Sequence, residues 1–411
     1  MSYKKVFPKT ALKTVDVLAA EGAFNVGCYT DNGRLVPAIN SVNKLTAIHD
    51  GISAAWYSAS IKKYMVFGKN IVWYSDGDMG KHAVGMVVGD TISMVETASG
   101  GLASATLFGT TAYFSLGEKF SSRPYKGAIH SCILKNGRLF GIDNSDNNKI
   151  KWSGEGGFED WTESISGAGW TIVQNGYGDI LNLVVYKDKI VAVREFGLTF
   201  FSAYGTPENY KLSYLERKLP KIYANTAAVV GDELLFYTED GLYSYDGSTV
   251  QKSSTGLAEE LLSPTTFACA DGKYFLCGMS KTLQRRAVLV VDAIHDNSYL
   301  IDAQVNAVAA GDRIFGYESR QEYEFTEGGE YTFTSGEIDF STRGFKVLKE
   351  IAVRGAKNVE IEVSNGVISR IVGGVRGKYR PNLRGKCFKI TVRGSEEIKG
   401  ISAVAEVAYE V

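Results

Sequence analysis

Asn148–Thr162, NKIKWSGEGGFEDWT, reads as a strand ending at Trp152–Ser153, a loop carrying Gly154, Gly156 and Gly157, and a second aromatic anchor at Trp161. Glycine permits the tight reversals such a loop needs. The two indoles give each end of the loop a large apolar body to bury and an N–H that requires an acceptor. Short strands joined by aromatic-anchored loops are typical of β-propellers, in which one sheet recurs around an axis.

Outward from this loop the same texture repeats. DKIVAVREFGLTFF (Asp188–Phe201) matches DELLFYTEDGLYSY (Asp232–Tyr245) at an offset of 44 residues. In each, an apolar run enters a turn at Phe196–Gly197 or Asp240–Gly241 and returns as a second strand, a strong hairpin signal. RLFGID (138–143) echoes RIFGYE (313–318), and 63–77, 110–118 and 272–278 share the pattern. Openings near 63, 137, 188, 232, 272 and 312 lie about 40–50 residues apart, except for one wider gap that holds the Thr110 strand. That period is the length of a four-stranded blade. Six or seven blades fit between residues 41 and 335.

After Gly336 the pattern changes. Val359, Ile361 and Val363 alternate with Glu360 and Glu362; Phe388, Ile390 and Val392 alternate with Lys389, Thr391 and Arg393. Strict period two with charges outward marks half-buried antiparallel strands. Residues 336–411 hold 14 Lys/Arg and 9 Asp/Glu, against 31 and 37 in the remainder, so the charge changes sign at the same place. The expected fold is all-β, a propeller of six or seven blades (41–335) followed by a small antiparallel β-sandwich (336–411). Residues 1–40 fit no blade and are expected as an arm or a short helix over Thr10–Glu21, with Leu12, Val15 and Leu18 on one face and a stop at Gly22. A second short helix is expected at Thr255–Leu262, capped by Thr255.

Composition bounds the chemistry. Forty-five Gly, 7 Pro and 12% aromatics suit strands and tight turns, and a net charge of −1 lacks the basic stripe of a nucleic-acid reader. Cys28, Cys132, Cys269, Cys277 and Cys387 form no CxxC pair, so reduced, buried thiols are expected. The N-terminus carries no signal-like apolar run and no stretch reaches membrane-spanning length, so no membrane anchor and a cytoplasmic origin are expected. His49, His82, His130 and His295 are dispersed and no G-x-S-x-G elbow, P-loop or dinucleotide fingerprint is present, so no metal and no cofactor are expected. Asp143, Ser145 and Asn147 imitate a calcium loop, but Asn148 replaces its Gly and Gly154 its Glu, leaving a polar turn. Ser153, Glu155 and Gly157 with Trp161 form one sialidase-like box, itself a structural turn, and no catalytic residue is assigned. Arg370, Arg376, Lys378, Arg380, Arg384 and Lys386 form a basic cluster: a nucleic-acid contact, or alternating charges on an exposed sheet face.

KIKWSGEGGFEDWT resembles the strand–loop–Trp signature of propeller proteins in tailed-bacteriophage virions, including tail hub, nozzle and packaged-DNA-stabilising components. LYSYDGSTVQKSSTGLAEEL (Leu242–Leu261) resembles their blade strand, turn and short helix, and LRGKCFKITVRG (383–394) with AVAEVAYEV (403–411) is similar to their closing sandwich. The common loop has Asp-Pro before its second Trp where this chain has Gly157–Phe158. The resemblance implies a non-enzymatic structural protein of the virion, assembled in the host cytoplasm as a ring or adaptor around the tail axis. Its partners would be copies of itself and other tail proteins, and DNA could pass without its sequence being read. Trp152, Trp161 and Gly157 would anchor the loop, and Arg370, Arg376, Lys378, Arg380 and Arg384 would face a partner. The alternatives are a host-surface carbohydrate-binding propeller and a glycosidase.

Overall fold

Seven four-stranded antiparallel sheets succeed one another along the chain, at 52–85, 92–124, 129–172, 180–214, 228–252, 261–301 and 307–327, the last completed by Ile39–Ala47. They are numbered here as blades 1–7. The first strand of each blade lies beside that of the next, and the first strand of blade 7 lies beside that of blade 1, so the ring is closed. The computed structural model describes residues 9–409 apart from 48–50, 61, 69–71, 76–80, 86–91, 98–99, 106–110, 115–121, 125–128, 159, 164–166, 174–175 and 255.

The apolar runs of the sequence are the second and third strands of the blades. Glu233–Thr238 (ELLFYT) and Gly241–Tyr245 (GLYSY) are buried almost throughout, because sheets pack against them on both sides. The 44-residue echo is therefore the central hairpin of blades 4 and 5. The wide gap between the openings near 63 and 137 is blade 2, whose second strand, Gly100–Ala105, lacks the run of large apolar residues found in the others.

A polar side chain on the first strands of blades 2, 3, 4 and 6 links each to the next blade. Ser93 Oγ accepts from Cys132 N (3.1 Å), Ser131 Oγ from Leu183 N (2.9 Å) and Asn182 Oδ1 from Asn225 N (2.8 Å), and Thr266 Oγ1 donates to the Asn306 carbonyl (2.9 Å). Register shifts at Ser131, Asn182 and Thr266 mark β-bulges, which re-aim these side chains sideways out of the ladder. Between these polar links the blades are held by apolar clusters that each span two adjacent sheets.

The β-sandwich is built from both ends of the described chain. Lys9–Asp16 pairs antiparallel with Gly400–Tyr409, from Lys9 opposite Tyr409 to Asp16 opposite Ser402. The helix expected over Thr10–Glu21 is thus a strand followed by a turn. β-branched Thr10, Thr14 and Val15 favour the pleat, and the pairing with Gly400–Tyr409 supplies backbone bonds that a short helix could not match. Leu12, assigned to the apolar face of that helix, is 68% exposed. Thr255 lies outside the described residues; 256–259 form a turn and Leu261 opens a strand, so the second helix is absent there. Leu242 N bonds to the Ala258 carbonyl at 2.8 Å while Leu257 and Ala258 are buried between blades 5 and 6, which fixes the turn.

Propeller and sandwich share one sheet. Phe24–Val26 lies parallel to the outer strand of blade 6 (Val26 opposite Leu300) and antiparallel to Tyr331–Thr334, which pairs with Lys389–Gly394, then Glu360–Ser364, then Ser369–Val372. Nine strands run without a break from the axis of blade 6 to the far flank of the sandwich. The boundary therefore differs from a cut at 335: the propeller occupies 39–327, and the sandwich takes 9–37 with 331–409. Gly336 marks how closely the pieces meet, since a Cβ there would lie 1.7 Å from the Glu21 carbonyl oxygen.

A chain ending at Ser335 would strip the cover from Val17, Leu18, Cys28, Leu35, Tyr331 and Phe333, all buried in the sandwich core. It is expected to bind an apolar dye and aggregate, whereas residues 38–329 alone stay monodisperse with a cooperative melt. Equal melting and no dye binding for 1–335 would contradict the shared construction.

Candidate functional site

The loop after Trp152 sits where blade 3 meets both neighbours. Trp152, 6% exposed, packs on Phe140, Phe201 and Tyr210 with ring centroids at 6.2, 5.8 and 5.2 Å, which joins blade 3 to blade 4. Its Nε1 donates to the Gly167 carbonyl at 3.2 Å, and Gly169 lies against the ring, where a Cβ would come within 2.8 Å. On the other side, half-buried Trp161 packs with Val95, Ile129, Cys132 and Leu139, joining blade 3 to blade 2. The Lys151 ammonium lies 5.6 Å from its ring centre.

Between the two indoles the loop is stitched to the turn before Leu139. Ser153 Oγ accepts from Leu139 N (3.0 Å), Gly156 N donates to the Gly137 carbonyl (2.8 Å), and Gly154 N donates to that of Asp160 (2.8 Å). The buried Arg138 guanidinium donates to the carbonyls of Ser153 (2.9 Å) and Gly167 (3.1 Å) and meets Glu155 at 3.4 Å. Gly156 has φ +67°, the left-handed region that glycine enters at least cost, and the Gly157 carbonyl accepts from Asp160 N at 2.9 Å. Trp152, Trp161 and Gly157 are thus brought together as parts of one inter-blade lock.

The calcium-like turn has its own cations. Asp143 Oδ1 accepts from the amide (2.8 Å) and hydroxyl (2.6 Å) of Ser145, and Oδ2 lies 3.6 Å from the ammonium groups of both Lys149 and Lys151. Burial pushes this carboxyl up, but the Ser145 bonds and the two lysines together outweigh it and hold it below the usual range. His130 Nδ1 lies 2.9 Å from Asn144 Oδ1, and burial lowers its pKa; His295 Nδ1 lies 2.9 Å from Asp292. His49 and the side chain of His82 lie outside the described residues. Among the described residues no group of three His, Cys, Asp or Glu is placed to hold a metal ion. Burial pushes the thiols of Cys269 and Cys277 up to about 12, the behaviour of core cysteines.

The basic cluster lies on the far flank of the sandwich and is not uniform. Lys378 and Arg380 approach Glu350 at 3.4 and 3.9 Å, while Arg384 and Lys386 lie 5.0 and 5.5 Å from the centre of the Phe345 ring. Arg370 sits on the edge strand Ser369–Val372, and Arg376 occupies the turn before Lys378 with φ +53°. The same flank exposes Val367 (90%), Ile371 (67%), Phe345 (52%) and Ile368 (44%). Sequence reasoning missed these four, because GVISRIV reads like any buried strand; the one signal was the absence of acidic residues within residues 366–386.

No family model and no curated protein matches this chain. Among solved structures, the extracellular domain of a one-component system from B. thetaiotaomicron superposes with a TM-score of 0.51 at 8% identity, over 89% of this chain and 60% of that one. PorZ, a bacterial surface component of the type-IX secretion system of Porphyromonas gingivalis, gives 0.45 at 10% identity, over 72% of this chain and 43% of PorZ. The RRP9 WD40 repeats give 0.47 at 7% identity, over 70% of this chain and 98% of that one. This chain thus spans less than two thirds of the first two, and at such identities the likeness is one of fold alone.

Trp152→Ala is expected to cost about 3–5 kcal/mol in denaturant unfolding, as large buried aromatics do when truncated. Trp161→Ala should cost less, because its ring is only half-buried. Wild-type stability in both variants would contradict the lock.

Proposed function

We propose that this protein is a non-enzymatic structural component of a bacteriophage tail, acting as a ring or adaptor of the hub or nozzle kind around the tail axis. The observation that supports this reading is the continuous nine-stranded sheet, which makes propeller and sandwich one stiff body, with a basic cluster on the sandwich. A stiff body with two unlike contact regions suits an adaptor, which must hold neighbours at a fixed geometry. The signature loop agrees with it, since Trp152 and Trp161 are occupied in holding blades together. Copies of itself and other tail proteins are the proposed partners, the virion is the proposed location, and passage of DNA would need no base reading.

A carbohydrate-binding propeller is the second reading, favoured by exposed aromatics on blades 3 and 4: Tyr204 (81%), Trp170 (45%) and Tyr214 (40%). The Lys149 ammonium lies 4.5 Å from the Trp170 ring centre and occupies one of its faces. Imaging of purified particles, with the chain located by a tag, separates the two. The tail reading expects several symmetry-related copies around the tail axis. Absence from particles, together with glycan binding lost in Tyr204→Ala, would overturn it in favour of the second.

A further inference from the structure

Ser369–Val372 is the last strand of the nine-stranded sheet, and one side of it has no strand partner among the described residues. Asn365 N bonds to the Ile368 carbonyl at 3.1 Å, and Ser364 lies opposite Ser369, Val363 opposite Arg370 and Glu362 opposite Ile371. In an antiparallel ladder the bonded positions alternate, so the N–H and C=O of Ser369 and Ile371 point to the open edge. The edge is also held rigid. Asn365 Oδ1 accepts from the amides of Val367 (3.0 Å) and Ile368 (2.8 Å), its Nδ2 donates to the Arg384 carbonyl (2.9 Å), and Gly366 turns at φ +85°. A pre-ordered edge loses little conformational freedom when another strand joins it.

Charge says which strand. Residues 366–386 contain Arg370, Arg376, Lys378, Arg380, Arg384 and Lys386 and no acidic residue; Glu350, from a neighbouring strand, meets two of the six. Edge-to-edge pairing of two copies would bring the Arg370 side chains of both edges into one ladder, which disfavours a second copy as the occupant. An extended segment alternating apolar and acidic residues meets these features: backbone bonds to Ser369 and Ile371, apolar contact with exposed Ile371, Val367 and Ile368, and carboxylates for Arg370 on the strand and Arg376, four residues past its end. We propose that this flank is a docking site for an extended, acidic, β-branched segment of a partner protein, added as a tenth strand. The inference goes beyond the tail assignment and holds whether or not that assignment stands.

The test uses the full chain and short synthetic peptides of alternating Val and Glu, Val and Lys, or Gly and Glu, with affinity measured by calorimetry. The Val–Glu peptide should bind saturably and protect the Ser369 and Ile371 amides from hydrogen exchange. Ile371→Pro removes an outward donor at an edge position where proline is tolerated, and it should abolish binding with the melting curve unchanged. Arg370→Glu combined with Arg376→Glu should weaken binding about tenfold or more, and it carries the test if the proline variant fails to fold. Three results would overturn the proposal: equal binding of the Val–Lys peptide, binding of Val–Glu untouched by both variants, or self-association of the full chain that Ile371→Pro abolishes. The last would make a second copy the occupant. None of these outcomes bears on whether the chain is found in a tail.

Discussion

The antiparallel pairing of Ile39–Ala47 with Gln321–Glu327 is the constraint on which the rest depends. It joins segments 283 residues apart, as between Asn43 and Thr326, and so carries a closure cost of about 5 kcal/mol in chain entropy. What it secures is shared by all seven blades, because an open ring would leave the last sheet unpaired and the cluster between blades 7 and 1 exposed. The same closure brings Lys9–Asp16 and Phe24–Val26 within reach of Gly400–Tyr409 and Tyr331–Thr334. With the ring shut, the segments of the sandwich are held near one another. The two units are therefore consecutive in space but interleaved in the chain.

How much of this was legible follows from how local each signal is. The blade hairpins were legible at 188–201 and 232–245, because a buried strand, a tight turn and a second buried strand lie within 14 residues. The sandwich strands at 360–364 and 389–394 were legible because one face meets solvent and the alternation is clean. The strand at Lys9–Asp16 was not, since its partner is nearly the whole chain away and Leu12, Val15 and Leu18 happen to fall at helical spacing. Blade 2 was hidden by the small residues of Gly100–Ala105.

The candidate site shows the same division. Trp152, Trp161 and the glycines between them could be picked out as anchors of one loop, but not the blades each indole touches or the Arg138 side chain that ties the loop down. The basic cluster was visible as composition. Its division among Glu350, Phe345 and an open strand edge depends on which strands end the sheets, and that is a property of the whole topology. The polar links from Ser93, Ser131, Asn182 and Thr266 lay outside the apolar pattern altogether, since each is a single polar residue, three of them at bulges.

Eight inter-strand spacings across the shared sheet span about 38 Å, from the axis of blade 6 to the basic flank. Stiffness over that distance requires Phe24–Val26 to be as firmly held as the blades themselves, since among the described residues it is the strand that joins the two sides. Native-state hydrogen exchange on the full chain tests this directly. If the N-terminal segment closes the ring and joins the units, the amides of Phe24–Gly27, and those of Ile39–Ala47 that bond to blade 7, exchange only with global unfolding, as those of Lys273–Ser280 do. Exchange of the N-terminal amides orders of magnitude faster, with Lys273–Ser280 still protected, would contradict it.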